Sequence, residues 1–193
     1  MAFLAKGRIL AAAVVAVLGL AAGAQAAPSC GKTGAGFDAW KQDFAADAKS
    51  EGVGSKGLAA LAGATYATRT ISADRAIHKA FSGSVDDFMK RRGGAAIISK
   101  GRALKKSNAA LFSQIEQNYG VSPGVLLAIW GMETGFGASM GNQNTVSAIL
   151  TLAYDCRRPA FFHPHAIAAL KLVDRGALSA SSVGAAHGEI GHT

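Results

Sequence analysis

Apolar side chains recur at the spacing of an α-helix along most of this chain, and no stretch alternates apolar and polar residues with the two-residue period of a β-strand. The clearest example is the set Phe37, Trp40, Phe44 and Ala48, which would share one face of a helix. The chain has 193 residues, of which 50% are hydrophobic, enough to form the core of one domain. The sequence therefore predicts an all-α fold with a single domain.

Glycines and prolines divide this pattern into separate helices. Gly120 stands where the glycine after a helix is expected, and Ser122-Pro123 then has the order of an N-cap followed by a first helical residue. Residues 63–83 are polar and mixed, which predicts a loop with short turns. The periodicity predicts helices at 37–48, 55–61, 85–92, 95–118, 123–133, 145–154 and 159–175, with a short last helix after Ser179.

Residues 1–26 have the order of a secretory signal peptide. Lys6 and Arg8 precede an apolar run at 9–22, and an Ala-Gln-Ala sequence then offers small residues before a cleavage site. The run is shorter than the about 20 residues of a spanning helix, and an uncleaved N-terminal anchor is the alternative. We therefore expect residues 27–193 to be exported and not to remain inserted in the membrane.

The chain has two cysteines, Cys30 and Cys156. Export would place them in oxidising surroundings, where a disulfide between them would be worth up to about 5 kcal/mol; two unpaired buried thiols are the alternative. Ala-Pro-Ser before Cys30 is a poor lipoprotein signal, so lipid anchoring is not expected. Two cysteines are too few for a four-cysteine zinc site, and the histidines lack a regular ligand spacing, so no metal is predicted.

Basic residues exceed acidic ones, with a formal net charge of +8. The basic segment Lys100–Lys106 has no interleaved aromatic residues, which is typical of a solvated helix face and not of a nucleic-acid site. An exported basic protein meets anionic wall polymers more readily. No nucleic-acid partner is predicted.

Glu133 is the only charged residue between Gln117 and Tyr154. It ends the helix predicted at 123–133, which is apolar on nearly every side and is therefore expected to be buried. The helix dipole and desolvation by apolar neighbours would both raise the pKa of such a carboxyl group, as a general acid requires. An inert, hydrogen-bonded glutamate at a frayed helix end is the alternative.

The sequence around Glu133 resembles the catalytic-helix signature of the B-type lytic murein transglycosylases. The resemblance rests on Tyr119-Gly-Val-Ser-Pro-Gly-Val-Leu-Leu-Ala-Ile-Trp-Gly-Met-Glu-Thr-Gly-Phe-Gly137, on Leu150-Thr-Leu-Ala-Tyr-Asp-Cys-Arg-Arg158 and on Gly188-Glu-Ile-Gly191. It implies a lysozyme-like domain in the periplasm that cleaves peptidoglycan glycan strands, with Glu133 as the catalytic residue and no metal or cofactor.

A single carboxylate suits this family. Most glycoside hydrolases use two carboxylates, one as acid and one as base or nucleophile. A lytic transglycosylase instead lets one glutamate protonate the glycosidic oxygen between N-acetylmuramic acid and N-acetylglucosamine, and then accept the proton of the muramyl 6-hydroxyl. The expected product is a 1,6-anhydromuramyl end.

The resemblance also assigns residues to substrate binding. Arg157 and Arg158 could hold peptide carboxylates or saccharide oxygens, although helix-start surface arginines are the alternative. Phe161 and Phe162 could present a sugar-stacking face, with ordinary core packing as the alternative. The remaining candidates belong to the quoted motifs: Thr134, Phe136, Tyr154 and Glu189.

The C-terminus departs from the family pattern. Members continue after Gly188-Glu-Ile-Gly191 into a Gln-Thr-Gln-Phe-x-Pro-Ser-like stretch and a further part of the domain, whereas this sequence ends at Thr193 and has His192 in place of the usual Gln. We therefore expect a domain that lacks its C-terminal part. A non-catalytic peptidoglycan-binding remnant is one alternative, and a hydrolytic muramidase using Asp155 or Glu189 is another.

Overall fold

The computed structural model of the protein describes residues 29–80 and 83–190, without the side chains of 77–80. The predicted signal peptide, residues 1–26, lies outside the described residues. Within the described ranges the chain forms nine α-helices, which confirms the all-α prediction. They are α1 Phe37–Ser50, α2 Ser55–Gly63, α3 Thr68–Ala80, α4 Val85–Arg91, α5 Gly94–Ser107, α6 Ala109–Tyr119, α7 Pro123–Thr134, α8 Thr145–Tyr154 and α9 Pro159–Asp174.

Two short strands accompany the helices, β1 Gln143–Asn144 and β2 Val183–Gly184. They are antiparallel, with Gln143 opposite Gly184. Gly184 packs so closely there that a Cβ atom on it would lie 2.2 Å from the Glu189 carbonyl oxygen. This short pairing fixes the segment before α8 against the C-terminal segment.

Three element predictions were wrong. The predicted loop at 63–83 contains α3, whose buried positions Thr70 and Asp74 are polar and so give no apolar periodicity. The predicted helix at 95–118 is two helices, because the backbone of Asn108 leaves the helical region (φ −120°, ψ 33°). Ser179 starts no helix, and its hydroxyl is instead hydrogen-bonded to that of Ser181 in a turn.

The first core cluster is formed by α1, α2, α8 and α9. The predicted apolar face of α1 is confirmed, with Phe37, Trp40, Phe44 and Ala48 all buried. The Trp40 ring stacks on Phe44 with centroids 4.5 Å apart and lies 5.5 Å from the ring of Tyr154 on α8. Helices from both ends of the chain therefore share this core.

The second core cluster is smaller and is centred on Phe112, Leu127 and Phe136, where α5, α6 and α7 meet. Gly131 on α7 allows this close packing. A Cβ atom there would lie 2.5 Å from Ile97 Cγ2 and 2.7 Å from the Phe136 ring.

Helix α7 is buried along one face only, which corrects the prediction that it is buried on nearly all sides. Leu127, Gly131 and Thr134 form the buried face. Val125 and Ile129 are 54% and 58% exposed. Because α5 and α6 pack on a single side, the remaining apolar residues of α7 reach the surface of the described chain.

Cys30 and Cys156 are joined by a disulfide in the structure. The backbone pairs beside the bridge, because Gly31 N donates to Tyr154 O at 3.0 Å and Cys156 N donates to Gly31 O at 3.3 Å. The N-terminal segment is thereby attached to the loop between α8 and α9.

Candidate active site

Glu133 is the second-last residue of α7 and is exposed. Within the described chain its carboxylate has no hydrogen-bond or ion-pair partner. The desolvation expected from its apolar neighbours is therefore absent from this structure. The physical reason is the one-sided packing of α7, which leaves the end of the helix open.

The turn after Glu133 has an uncommon backbone. Gly135, Phe136 and Gly137 have φ angles of 60°, 61° and 78°, so three successive residues are left-handed. Glycine adopts this region without strain, whereas a bulky residue such as phenylalanine seldom does. The chain thus turns away sharply from α7 and leaves the Glu133 carboxylate uncovered.

Thr134 holds this turn together. Its Oγ1 accepts a hydrogen bond from Gly137 N at 2.9 Å, and its carbonyl oxygen accepts one from Ser139 N at 2.8 Å. The side chain is buried. Thr134 therefore shapes the turn in this structure, and its contact to substrate stays a prediction.

Phe136 supports the same turn from below. It is buried, and its ring meets that of Trp130 edge to face with centroids 5.4 Å apart. Lys100 Nζ lies 5.3 Å from the Phe136 ring centroid and donates to the Gly135 carbonyl at 3.3 Å. Phe136 therefore supports the turn in this structure, and its contact to substrate stays a prediction.

A second group of charged residues is centred on Asp74 of α3. Its carboxylate accepts hydrogen bonds from Arg157 and Arg158 and pairs with Arg75 at 3.0 Å. Arg75 also pairs with Asp155 at 2.7 Å. The two predicted substrate arginines are thus held by a buried carboxylate that sequence reasoning missed.

Asp74 is charged in this network. Burial raises the pKa of its carboxyl group, but the hydrogen bonds and positive charges of Arg157 and Arg158 outweigh burial, so the net pKa lies below its usual value. Asp74 therefore carries its negative charge at neutral pH and orients both arginines, whose side chains stay 29% and 41% exposed.

The other candidates divide into core and surface positions. Tyr154 is only 4% exposed, and its hydroxyl donates to the Thr33 carbonyl at 3.0 Å, so it packs in the core of this structure; its contact to substrate stays a prediction. Phe161 is 57% exposed, with the Arg158 guanidinium 5.8 Å from its ring centroid. Glu189 accepts a hydrogen bond from His187 N at 3.1 Å and keeps an exposed carboxylate.

Comparison with known proteins identifies the family. Residues 36–193 match the sequence profile described as Transglycosylase SLT domain. The chain belongs to this transglycosylase family. No curated protein matches the sequence.

Solved structures resemble this transglycosylase domain over most of its length. SltB3 from Pseudomonas aeruginosa, solved with NAG-NAM-pentapeptide, is 30% identical with a TM-score of 0.68, covering 81% of this chain and 42% of its own. The same protein with NAG-anhNAM-pentapeptide gives 29% identity, a TM-score of 0.67 and the same coverage, 81% and 42%. The Escherichia coli lytic transglycosylase Slt35, with calcium, shares the fold at 18% identity and a TM-score of 0.65, covering 86% of this chain and 53% of its own. The chain spans about half the length of these relatives or less.

The transglycosylase domain has one accessible carboxylate in the catalytic-helix motif. Asp155, the first candidate for a water-activating base, is 2% exposed and is bound by Arg75 and by the Arg157 backbone N–H. It therefore cannot reach a substrate from its buried position. The exposed Glu189 is the remaining second carboxylate, and no contact joins it to Glu133 within the described residues.

No group of three or more His, Cys, Asp or Glu residues is placed to hold a metal ion in the part of the chain that the structure describes. No helix in the same ranges has the length and apolar character needed to cross a bilayer.

Proposed function

We propose that this chain is a peptidoglycan lytic transglycosylase that cleaves the bond between N-acetylmuramic acid and N-acetylglucosamine and forms a 1,6-anhydromuramyl end. The observation that carries the proposal is Glu133, an unpaired, exposed carboxyl group at the end of α7 in a domain of the transglycosylase family. A lone acid is sufficient for this reaction, whereas glycoside hydrolysis normally takes two carboxylates.

The reaction balances with Glu133 alone. The protonated carboxyl group donates its proton to the glycosidic oxygen, and the bond from C1 of the muramyl residue to that oxygen breaks. The muramyl O6 then attacks C1, and its proton passes to the Glu133 carboxylate, which restores the acid. A glycan bound over the open turn would exclude water from Glu133 and supply the desolvation that the free protein lacks.

The arginines held by Asp74 are the proposed anchor for the anionic parts of the substrate. Arg157 and Arg158 present donors that suit peptide carboxylates, and Phe161 beside them offers a face on which a sugar can stack. Glu189 is the proposed polar contact at the same surface. The complexes of SltB3 with saccharide-pentapeptide fragments support a substrate of this class.

The proposed place of action is the periplasm, reached through the signal peptide at 1–26. Export would supply the oxidising conditions in which the disulfide between Cys30 and Cys156 forms. Removal of residues 1–26 takes away Lys6 and Arg8 and lowers the net charge from +8 to +6, which still favours approach to an anionic wall.

The test is a digest of purified peptidoglycan read by mass spectrometry, with Glu133→Gln beside the unmodified protein. The matched control is Glu116→Gln, because Glu116 is an exposed glutamate on α6 outside the motif. We expect new 1,6-anhydromuramyl ends with the unmodified protein and the control, and a loss of at least 100-fold with Glu133→Gln, the order of magnitude for removing a general acid. Circular dichroism checks that all three proteins are folded.

Two outcomes would overturn the proposal. New reducing ends in place of anhydro ends would make the protein a hydrolase and direct attention to Glu189 as the second carboxylate. No new ends from a folded protein that still sediments with peptidoglycan would favour the non-catalytic binding remnant.

A further inference from the structure

A groove of about 330 Å³ lies between α5 and α7 on the second core cluster. Leu127 is buried in its floor, while Ile98 is 48% exposed at its edge. Its lining is mostly apolar and consists of Met89, Ile97, Ile98, Gly101, Arg102, Lys105, Gly124, Leu127, Ala128 and Met132. Its size suits an aliphatic chain or a similar apolar group of a ligand.

The charged side chains on the α5 side of the groove are all positive. Arg102 and Lys105 line it, both are exposed, and neither side chain has a hydrogen-bond or ion-pair partner within the described residues. Residues 88–107 hold seven basic side chains and no acidic one: Lys90, Arg91, Arg92, Lys100, Arg102, Lys105 and Lys106. This surface therefore attracts an anion.

The apolar surface continues beyond the groove. Gly124 and Ala128 line the groove four residues apart, and the next row of the α7 surface holds Val125 and Ile129, which are also exposed. A glycan strand or a nucleic acid would gain little from covering these aliphatic side chains. A ligand that is apolar and anionic together would gain from both parts of the surface.

We propose that this face binds the surface of an anionic lipid bilayer, with lipid phosphates at Arg102 and Lys105 and acyl chains against the groove and the exposed row of α7. The lack of acidic residues over 88–107 matches an anionic surface, and the aliphatic face matches shallow insertion below the headgroups. Met132 of the groove adjoins Glu133, and Val125 and Ile129 precede Glu133 at four-residue spacing along α7, so this face borders the candidate catalytic carboxylate. The proposal is tested by vesicle binding, which is measured without catalysis.

The test is co-sedimentation with vesicles of phosphatidylglycerol and phosphatidylcholine, and with vesicles of phosphatidylcholine alone. The protein is purified after export, and mass spectrometry of its N-terminus verifies that residues 9–22 are absent. We expect binding to the anionic vesicles only, weakening as salt rises. The variant Arg102→Gln/Lys105→Gln should lower the partition coefficient about 25-fold, about fivefold per basic side chain. The matched control Lys49→Gln/Lys56→Gln removes two exposed charges from α1 and α2 and should change it less than about threefold.

A second variant separates binding from folding. A side chain on Gly124 would enter open space, because no atom lies within 4 Å of an added Cβ. Gly124 also lies in the first turn of α7, where the helix dipole favours an acid. Gly124→Glu should therefore keep or raise stability in urea while abolishing vesicle binding.

Several results would overturn the proposal. One is binding to neutral vesicles as strong as binding to anionic vesicles. Another is an equal loss of vesicle binding in the two double variants, and a third is unchanged vesicle binding by Gly124→Glu. A dimer seen by light scattering that Gly124→Glu dissociates, without vesicle binding by the unmodified protein, would assign the face to a second copy of the chain. Binding of soluble dodecyl phosphate with no binding to vesicles would replace the bilayer by a single amphiphile.

Discussion

Asp74→Asn tests whether the buried carboxylate holds the arginine network together. The substitution keeps the shape of the side chain but removes the charge that Arg157, Arg158 and Arg75 share. The amide also replaces one acceptor oxygen by an N–H donor, which would face a guanidinium donor. Asp155 would remain as the carboxylate paired with Arg75.

The structure sets the expected magnitude. Removing one partner of a fully buried ion pair costs about 3–5 kcal/mol. The side chain of Asp74 is 2% exposed, but those of its three arginines are 29–44% exposed, so water can solvate them after the change. We therefore expect a loss of about 2–3 kcal/mol in the free energy of unfolding at pH 7, or a melting temperature lower by about 4–12 °C.

The same carboxylate should make stability depend on pH. The pKa of Asp74 is lower in the folded protein than its usual value of 3.8. The contribution of Asp74 to the free energy of unfolding is therefore fully present at a pH above that usual pKa, and it is lost as the pH falls through the lower folded-state pKa. The stability difference between the unmodified protein and Asp74→Asn should shrink as the pH falls below about 4.

Urea unfolding at pH 7 and at several values down to pH 3 measures both effects. The control is Asp38→Asn, which removes an exposed carboxylate. The side chain of Asp38 is 89% exposed and pairs with Lys41, whose side chain is 11% exposed. We expect that control to change the free energy by less than about 1 kcal/mol. Equal losses for the two variants, or a loss for Asp74→Asn that does not change with pH, would refute the reasoning.

Two further predictions concern stability. Gly131→Ala should be less stable than Gly124→Ala by about 1–3 kcal/mol in urea unfolding. The methyl group at 131 would meet two side-chain atoms at 2.5 and 2.7 Å, whereas the methyl group at 124 would enter open space. Equal urea midpoints for the two variants would contradict the close packing at Gly131. Reduction of the bridge between Cys30 and Cys156, 126 residues apart, should cost up to about 5 kcal/mol and lower the melting temperature by about 10–20 °C; an unchanged melting curve after reduction would show that the bridge adds no stability.

The sequence predicts the helices that carry an apolar face and misses the one that does not. Phe37, Trp40 and Phe44 identify α1 because a 3.6-residue period is visible in a single sequence. Helix α3 buries Thr70 and Asp74, whose burial depends on partners far along the chain. Arg157, for example, lies 83 residues after Asp74.

Burial was also overestimated from composition. The 123–133 segment is apolar on nearly every side, yet Val125 and Ile129 are exposed because the described neighbours of α7 lie on one face. The same error affected Glu133, whose expected burial followed from its apolar neighbours in sequence. The motif also gives no sign that Thr134 and Tyr154 turn inward, because the direction of a side chain depends on how the helices pack.

The two core clusters differ in the sequence separation of the helices that they bring together. The cluster around Phe112, Leu127 and Phe136 joins consecutive helices and can form as soon as α7 has been made. The cluster around Trp40 and Phe44 needs α8 and α9, and the bridge that closes it spans 126 residues. Local contacts form faster than distant ones, so the half that carries Glu133 should fold first. Until α8 and α9 emerge, the aromatic face of α1 is only partly covered, and that interval is when the protein is most exposed to aggregation and has most to gain from a chaperone.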